Sequence, residues 1–179
     1  MIYIHDFDAA ILLFIKNNMH SYLMDKTMIF MTRLGNGGLI WFVICILLIL
    51  SKRYRRAGFT ALTALVITTI LGEGIIKHIV RRARPFTNIE DMKLLIARPI
   101  SYSFPSGHTG ASFAAATVLS KYFKKYSLFI FVLAVLIAFS RLYLYVHYPT
   151  DVLAGVILGI ISGIMANSFV NKYVYKRKE

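Results

Sequence analysis

Long apolar runs separated by short, often basic, connections dominate the chain. They lie at residues 38–50, 57–79, 104–123, 128–146 and 152–170. A helix that crosses a bilayer needs about 20 predominantly apolar residues, and the pattern predicts five such helices. The run at 104–123 is rich in Gly, Ala, Ser and Thr and is the weakest taken alone. The run at 57–79 carries Glu73, Lys77 and His78 at its far end, and the run at 128–146 carries Arg141. Gly155, Gly159 and Gly163 form two overlapping GxxxG patterns in the last run, which predicts close approach of another helix. Residues 1–35 are different. Apolar stretches at 7–15 and 24–31 are short, and Asn17-Asn18 separates them. Two amphipathic helices lying at the membrane interface fit best; one tilted, poorly apolar sixth span is the alternative. The expected fold is an all-α, polytopic membrane helix bundle at 36–179, preceded by an N-terminal amphipathic segment at 1–35.

Composition agrees. Hydrophobic residues make up 58% of the chain and charged residues 16%, against about 45–50% and 25% in soluble domains. A soluble globule of this size would not bury so much apolar surface. A single cysteine excludes a disulfide-stapled fold, and Cys45, inside an apolar run, reads as an inert core thiol. The first eight residues carry two acids and no basic stretch, so they do not read as a signal peptide.

The net charge is +13, from 21 Lys plus Arg against 8 Asp plus Glu. In a membrane chain this excess sets orientation rather than marking nucleic-acid binding. Lys52, Arg53, Arg55 and Arg56 follow the first run. Lys121, Lys124 and Lys125 follow the third, and Lys172, Lys176, Arg177 and Lys178 follow the last. Five alternating spans put all three clusters on one side, which the positive-inside rule makes cytoplasmic. The C-terminus is then cytoplasmic, in a bacterial-type plasma membrane. The opposite connection is also basic, with Arg81, Arg82, Arg84, Lys93 and Arg98. Topology does not explain that second excess; a bound anion would.

Ionisable groups within membrane segments suggest function, and here they concentrate at three places. In the first, Lys77 and Arg84 stand seven apart with Arg81 between them. A helix would place all three on one face as an anion clamp, unless they are basic residues snorkelling at a helix end. Pro85 biases Arg84 out of the helix. The second is Pro105-Ser106-Gly107-His108, directly before a helix. Ser106 is a natural N-cap, Gly107 lets a ligand approach the backbone, and helix-start amides attract phosphate. An ordinary cap with a surface histidine is the alternative. The third is Ser140 to Asp151, in which His147 and Asp151 stand four apart. A carboxylate on one imidazole nitrogen fixes the tautomer and leaves the other nitrogen to act; a purely structural His–Asp pair would look the same. Together the three supply cations, helix-terminal amides, two histidines and an orienting acid. No cluster of carboxylates or cysteines suits a catalytic metal. The inventory fits phosphoryl transfer driven by positioning and charge.

The sequence resembles the type 2 phosphatidic acid phosphatase superfamily of membrane lipid phosphatases. Its tripartite signature, K-x6-RP, PSGH and SR-x5-H-x3-D, is matched by residues 77–85, 105–108 and 140–151 without departure. The resemblance implies that His147 attacks phosphorus, Asp151 orients it, and His108 protonates the leaving oxygen and later activates water. It implies that Lys77, Arg84, Ser106, Gly107 and Arg141 hold the phosphate, with no cofactor and no metal. Arg81 and Arg82 lie outside the signature and are expected at a second phosphate or neighbouring headgroup. Glu73, four residues before Lys77, is expected to pair with it. His5, His20 and His78 match nothing. The implied substrate is a lipid phosphate met at the extracytoplasmic face, with undecaprenyl diphosphate the first choice. Phosphatidylglycerophosphate, phosphatidate and lipid A are alternatives. Transfer to a lipid or sugar acceptor, or binding and transport without catalysis, would use the same side chains.

Overall fold

The computed structural model describes residues 2–89 and 92–174, and among them there is helix but no strand. Lys176, Arg177 and Lys178 of the last basic cluster lie outside the described residues. Helix α1 spans Ile2–Asn18, α2 Tyr22–Gly35, α3 Leu39–Leu50 and α4 Arg55–Thr69. A π-helical stretch, Ile70–Ile76, joins α4 to the short α5, Lys77–Val80. Helices α6, α7 and α8 span Gly107–Tyr122, Ser127–Tyr143 and Pro149–Phe169.

Four helical stretches are long and apolar enough to cross a membrane: Tyr22–Leu50, Arg55–Thr87, Lys124–Tyr143 and Pro149–Val174. The first corrects the reading of α2. Residues 38–50 alone make only about 20 Å of helix at 1.5 Å per residue, too short for a bilayer core. Helix α2 supplies the missing length by running into α3 through a kink. Gly37 and Gly38 make that kink with φ of 59° and 70°, a left-handed backbone that other residues adopt at a cost. The boundary expected at residue 35 falls at this bend. Leu12 and Ile15 of α1 and Met28 of α2 are buried with Tyr143, Leu144 and Val146.

Helix α6 has the length of 16 residues and is the least apolar of the expected spans. Its composition has a tertiary reason. It lies inside the bundle, with Gly110, Ser112, Ala114, Ala115, Ala116 and Val118 buried, so its surroundings are other helices. Ser112 Oγ accepts a 2.9 Å hydrogen bond from the Trp41 indole of α3. The glycine stripe of α8 packs on α6. A Cβ on Gly155 would lie 2.8 Å from the Ser106 carbonyl oxygen, and one on Gly159 would lie 2.5 Å from that of Gly110. Backbone meets backbone there, as the GxxxG spacing predicts. Gly159→Val is therefore expected to force α8 off α6 and to cost about 1–3 kcal/mol. A thermal unfolding midpoint in detergent equal to that of the parent protein would contradict this.

The helix ends divide into two sets. The α3–α4 turn, the end of α6 and the end of α8 gather at one end of the bundle. Arg56 Nη2 donates to Asn171 Oδ1 at 2.7 Å, and the rings of Tyr54 and Phe123 lie 5.3 Å apart. The basic clusters at 52–56 and 121–125, with Lys172, sit at this end. The three signature segments gather at the other.

Candidate active site

Local chain chemistry turns each segment inward. Arg81 has φ 50° and ends α5 in the left-handed region, and Arg84 before Pro85 is extended. The helix therefore stops before Arg84, and the expected single face of Lys77, Arg81 and Arg84 does not form. Lys77 and Arg84 converge instead on Ser101, whose hydroxyl accepts from Lys77 Nζ at 3.2 Å and from Arg84 Nη2 at 3.1 Å. Arg84 Nε also donates to the Ser101 carbonyl at 2.7 Å and Nη1 to the Val146 carbonyl at 2.8 Å. After α7 the chain reverses through Tyr145, at φ 60°, and the amides of Val146 and His147 both donate to the Arg141 carbonyl. Pro149 opens α8 and Asp151 caps it, its Oδ2 accepting from the Tyr148 amide at 2.9 Å.

These segments surround one cavity of about 600 Å³. Lys77, Arg84, Ser101, Gly107, His108, Arg141 and His147 line one end, while Phe42, Leu62, Leu65, Val66 and Ile70 line the walls. The polar end is built for an anion. Lys77, Arg84 and Arg141 are all buried, and the Arg141 Nη1 donates to the Thr32 hydroxyl. The buried Arg141 Nε has no hydrogen-bond partner among the described residues. A buried guanidinium donor without a partner is costly, and an anion would satisfy it.

His147 and Asp151 stand together, as the signature predicts. His147 is buried, with Nδ1 3.5 Å from Asp151 Oδ2 and Nε2 3.2 Å from Arg84 Nη1. An arginine only donates, so Nε2 carries the lone pair and the proton is on Nδ1, facing Asp151. Burial is the main reason that the His147 pKa is pushed down to about 3. The hydrogen bond donated to Asp151 opposes the shift, while Arg141 and Arg84 add to it. The imidazole is neutral at neutral pH, which a nucleophile requires. Asp151 has no exposed surface and is held on all sides: Oδ2 by the Ser103 hydroxyl and the Tyr148 amide, Oδ1 by Arg82 Nη1 at 2.6 Å.

His108, in the first turn of α6, faces His147 across the cavity and is fixed through Nε2, 2.9 Å from Asn36 Oδ1. Ser106 occupies the N-cap position of α6 but its side chain does not cap the helix. Its hydroxyl accepts from Thr109 at 2.9 Å and lines a smaller pocket that adjoins the main cavity and shares Glu73 and Gly107 with it. Gly107 is crowded by a partner that sequence did not suggest. A side chain there would run into the Glu73 carboxylate. Glu73 is at the centre of the π-helical stretch and accepts from Lys77 Nζ at 2.7 and 2.8 Å, the expected pairing. π-helical insertions are frequent at functional sites.

For Arg81 and Arg82 the expectation is a second phosphate or a neighbouring headgroup. Neither lines the cavity. Arg81 is exposed and donates to the His78 carbonyl. Arg82 points behind Asp151, bonded to Asp8, Thr150 and Asp151, because two carboxylates on that side satisfy its charge. Asp8, Thr32, Asn36, Ser101 and Ser103 are the contributors that sequence reading missed. Only Asp8 had a signal, an acid next to an apolar stretch. Among the histidines outside the signature, His20 pairs with Asp25 at 2.9 Å and His78 packs on the edge of Tyr102.

The sequence matches the PAP2 superfamily over residues 53–175. The chain belongs to that superfamily. An undecaprenyl-diphosphatase of Sulfolobus acidocaldarius is 37% identical over 133 residues, covering 74% of this chain and 64% of that protein. A lipid A 4'-phosphatase of Bacteroides thetaiotaomicron is 31% identical over 169 residues, covering 87% of this chain and 73% of that protein. Among solved structures, a transmembrane PAP2 type phosphatidylglycerolphosphate phosphatase from Bacillus subtilis superposes with a TM-score of 0.78 at 27% identity. The alignment covers 99% of this chain and 90% of that one. With four apolar helices of spanning length, this PAP2 chain is a multi-pass membrane protein.

Proposed function

We propose that the chain is a lipid phosphatase that removes a terminal phosphate from a lipid phosphate or diphosphate through a phosphohistidine. The observation that carries this reading is the two-ended cavity. Its cationic end holds His147 and His108, and its apolar walls come from α3 and α4. Phe42, Val66 and Ile70 of those walls are about half exposed on the side that a bilayer would cover. A lipid would enter from there with its phosphate toward Lys77, Arg84 and Arg141 and its chain between α3 and α4.

In the reaction, the Nε2 lone pair of His147 attacks phosphorus as the bond to the lipid oxygen breaks. Arg84 donates to that lone pair, so an incoming phosphate has to draw the guanidinium to its own oxygens. The imidazole gains positive charge as the P–N bond forms, and Asp151 stabilises it across Nδ1. His108 gives a proton to the leaving oxygen. Water then attacks phosphorus, His108 takes a proton from it, and the P–N bond breaks. Lys77, Arg84, Arg141 and the amides at the start of α6 hold the phosphoryl oxygens. The donor set is cationic and suits an anion, so the reading assigns no step to a metal ion.

Undecaprenyl diphosphate is the proposed substrate, on the similarity to the undecaprenyl-diphosphatase of Sulfolobus acidocaldarius. Phosphate release from the purified protein tests it, against undecaprenyl diphosphate, phosphatidylglycerophosphate, phosphatidate and lipid A, each with and without EDTA. Turnover of undecaprenyl diphosphate that survives EDTA is expected. Release from none of the four, or strict dependence on a divalent ion, would overturn the reading. Products bearing phosphate on an added acceptor would make the enzyme a phosphotransferase.

Two further outcomes follow from the same reading. Glu73 sets its carboxylate beside Lys77 and Gly107, where it repels an incoming phosphate. Glu73→Gln is expected to tighten inhibition by inorganic phosphate about fivefold, the worth of about 1 kcal/mol for a partly exposed pair. Weaker inhibition would contradict that role. The site is proposed to face away from the cytoplasm, opposite the basic clusters. A single cysteine at residue 123, with Cys45 replaced, is expected to resist an impermeant thiol reagent added outside intact cells. Labelling from outside would reverse the orientation.

A further inference from the structure

The superfamily match begins at residue 53, so α1 lies outside it. Yet α1 reaches the site. Asp8 has no exposed surface, and a buried carboxylate persists only where it is paired. Its partners all belong to the site end of the bundle. Oδ1 accepts from the Thr150 amide at 3.0 Å, and Oδ2 accepts from the Thr150 hydroxyl at 2.6 Å and from Arg82 Nη2 at 2.7 Å. The other terminal nitrogen of Arg82, Nη1, donates to Asp151 Oδ1 at 2.6 Å and to the Thr150 hydroxyl at 2.7 Å. One guanidinium therefore bridges two buried carboxylates. It also lies over the Tyr148 ring, 3.9 Å from its centre.

Charge counting gives the bridge a consequence. Asp8, Arg82 and Asp151 together carry one negative charge, which faces His147. Without Asp8 the Arg82–Asp151 pair is neutral, and the positive charge that grows on His147 during attack loses its counter-charge. Arg82 would also lose the charged anchor on its Nη2 that helps keep Oδ1 of Asp151 turned away and Oδ2 toward His147.

We propose that Asp8 is a positioning residue for phosphoryl transfer, acting through Arg82 on the orientation and net charge of Asp151. The proposal rests on the role given to His147 and Asp151 under Proposed function. It makes α1 a working part of the site.

The test uses the purified full chain with undecaprenyl diphosphate in detergent, or phosphatidate if that diphosphate is not turned over. Asp8→Asn keeps shape and removes the charge. The expected result is a kcat lowered about tenfold or more, as for other groups that orient a reacting residue, with KM within about twofold. Arg82→Gln breaks the same bridge but leaves both carboxylates charged, so its kcat should fall through the lost orientation of Asp151, with KM again held, and the double variant should be little worse than either single one. A parental kcat in a folded Asp8→Asn protein would overturn the proposal. So would a raised KM at unchanged kcat, or additive losses. Should Asp8→Asn not purify folded, Arg82→Gln carries the test alone: a lowered kcat at little-changed KM is expected, and a parental kcat or a raised KM at unchanged kcat would overturn the proposal. Asp151→Asn separates the layers. If it is inactive while Asp8→Asn is fully active, only this proposal fails. If Asp151→Asn is itself active, the underlying mechanism fails.

Discussion

His147→Ala is expected to release no phosphate above background and to form no acid-quenched phosphoenzyme from radiolabelled substrate. The loss should be at least about 10⁴-fold in kcat, the scale on which removal of a covalent nucleophile is felt. The geometry makes the expectation sharp. His147 Nε2 is a lone-pair nitrogen held at the cationic end of the cavity, 3.2 Å from the Arg84 guanidinium. His108, the other imidazole there, has its Nε2 engaged by Asn36, and the Ser101 hydroxyl is already shared by Lys77 and Arg84. Neither stands ready to replace it. The side chain is buried, so the unfolding midpoint has to be measured beside activity. A folded variant that keeps turnover, or that still traps phosphate on protein, would remove the phosphohistidine from the mechanism.

Asp151→Asn should be almost as severe, about 10³–10⁴-fold in kcat with KM little changed, by analogy with loss of the orienting acid in a serine-protease triad. An asparagine can turn its NH₂ toward Nδ1. The imidazole would then carry its proton on Nε2, where the lone pair is needed. The substitution also removes the charge opposing the imidazolium-like state. Phosphate contacts through Lys77, Arg84 and Arg141 would persist, which is why KM should hold. The same carboxylate accepts from the Tyr148 amide, the Ser103 hydroxyl and Arg82, so some loss of stability is expected as well. A variant with raised KM and intact kcat would mean that Asp151 serves binding and not the nucleophile.

Much of this was legible in the order of residues. Apolar runs of spanning length can hardly be anything but helices in lipid, because the backbone must satisfy its own hydrogen bonds there. Charges within those runs are costly, so Lys77 and Arg141 stood out without any structure, and Arg84, His147 and Asp151 stood out in the connections beside them. The glycines at 155, 159 and 163 announced a close helix contact, and Gly155 and Gly159 do meet the backbone of α6. Glu73 announced its pairing with Lys77 by spacing alone. Errors came where a local rule met a tertiary partner. The short run at 38–50 looked self-sufficient until α2 was found to extend it across the kink at Gly37 and Gly38. Lys77, Arg81 and Arg84 looked like one helical face. The left-handed Arg81 ends the helix first, and Ser101 brings the outer two together.

The sequence by itself determined the helices, the ends of the bundle that hold basic clusters and site, and the residues whose charge needed a reason. Those follow from side-chain chemistry and periodicity, which act over a few residues. Only the tertiary structure decided which charges face the cavity and which face each other. Arg82 and Arg84 are two residues apart and equally basic in sequence. Arg84 lines the cavity, while Arg82 lies behind Asp151 with Asp8. A charge buried in a bundle goes to the partner that offsets its desolvation, and that partner here lies 74 positions away along the chain, beyond the reach of any local pattern.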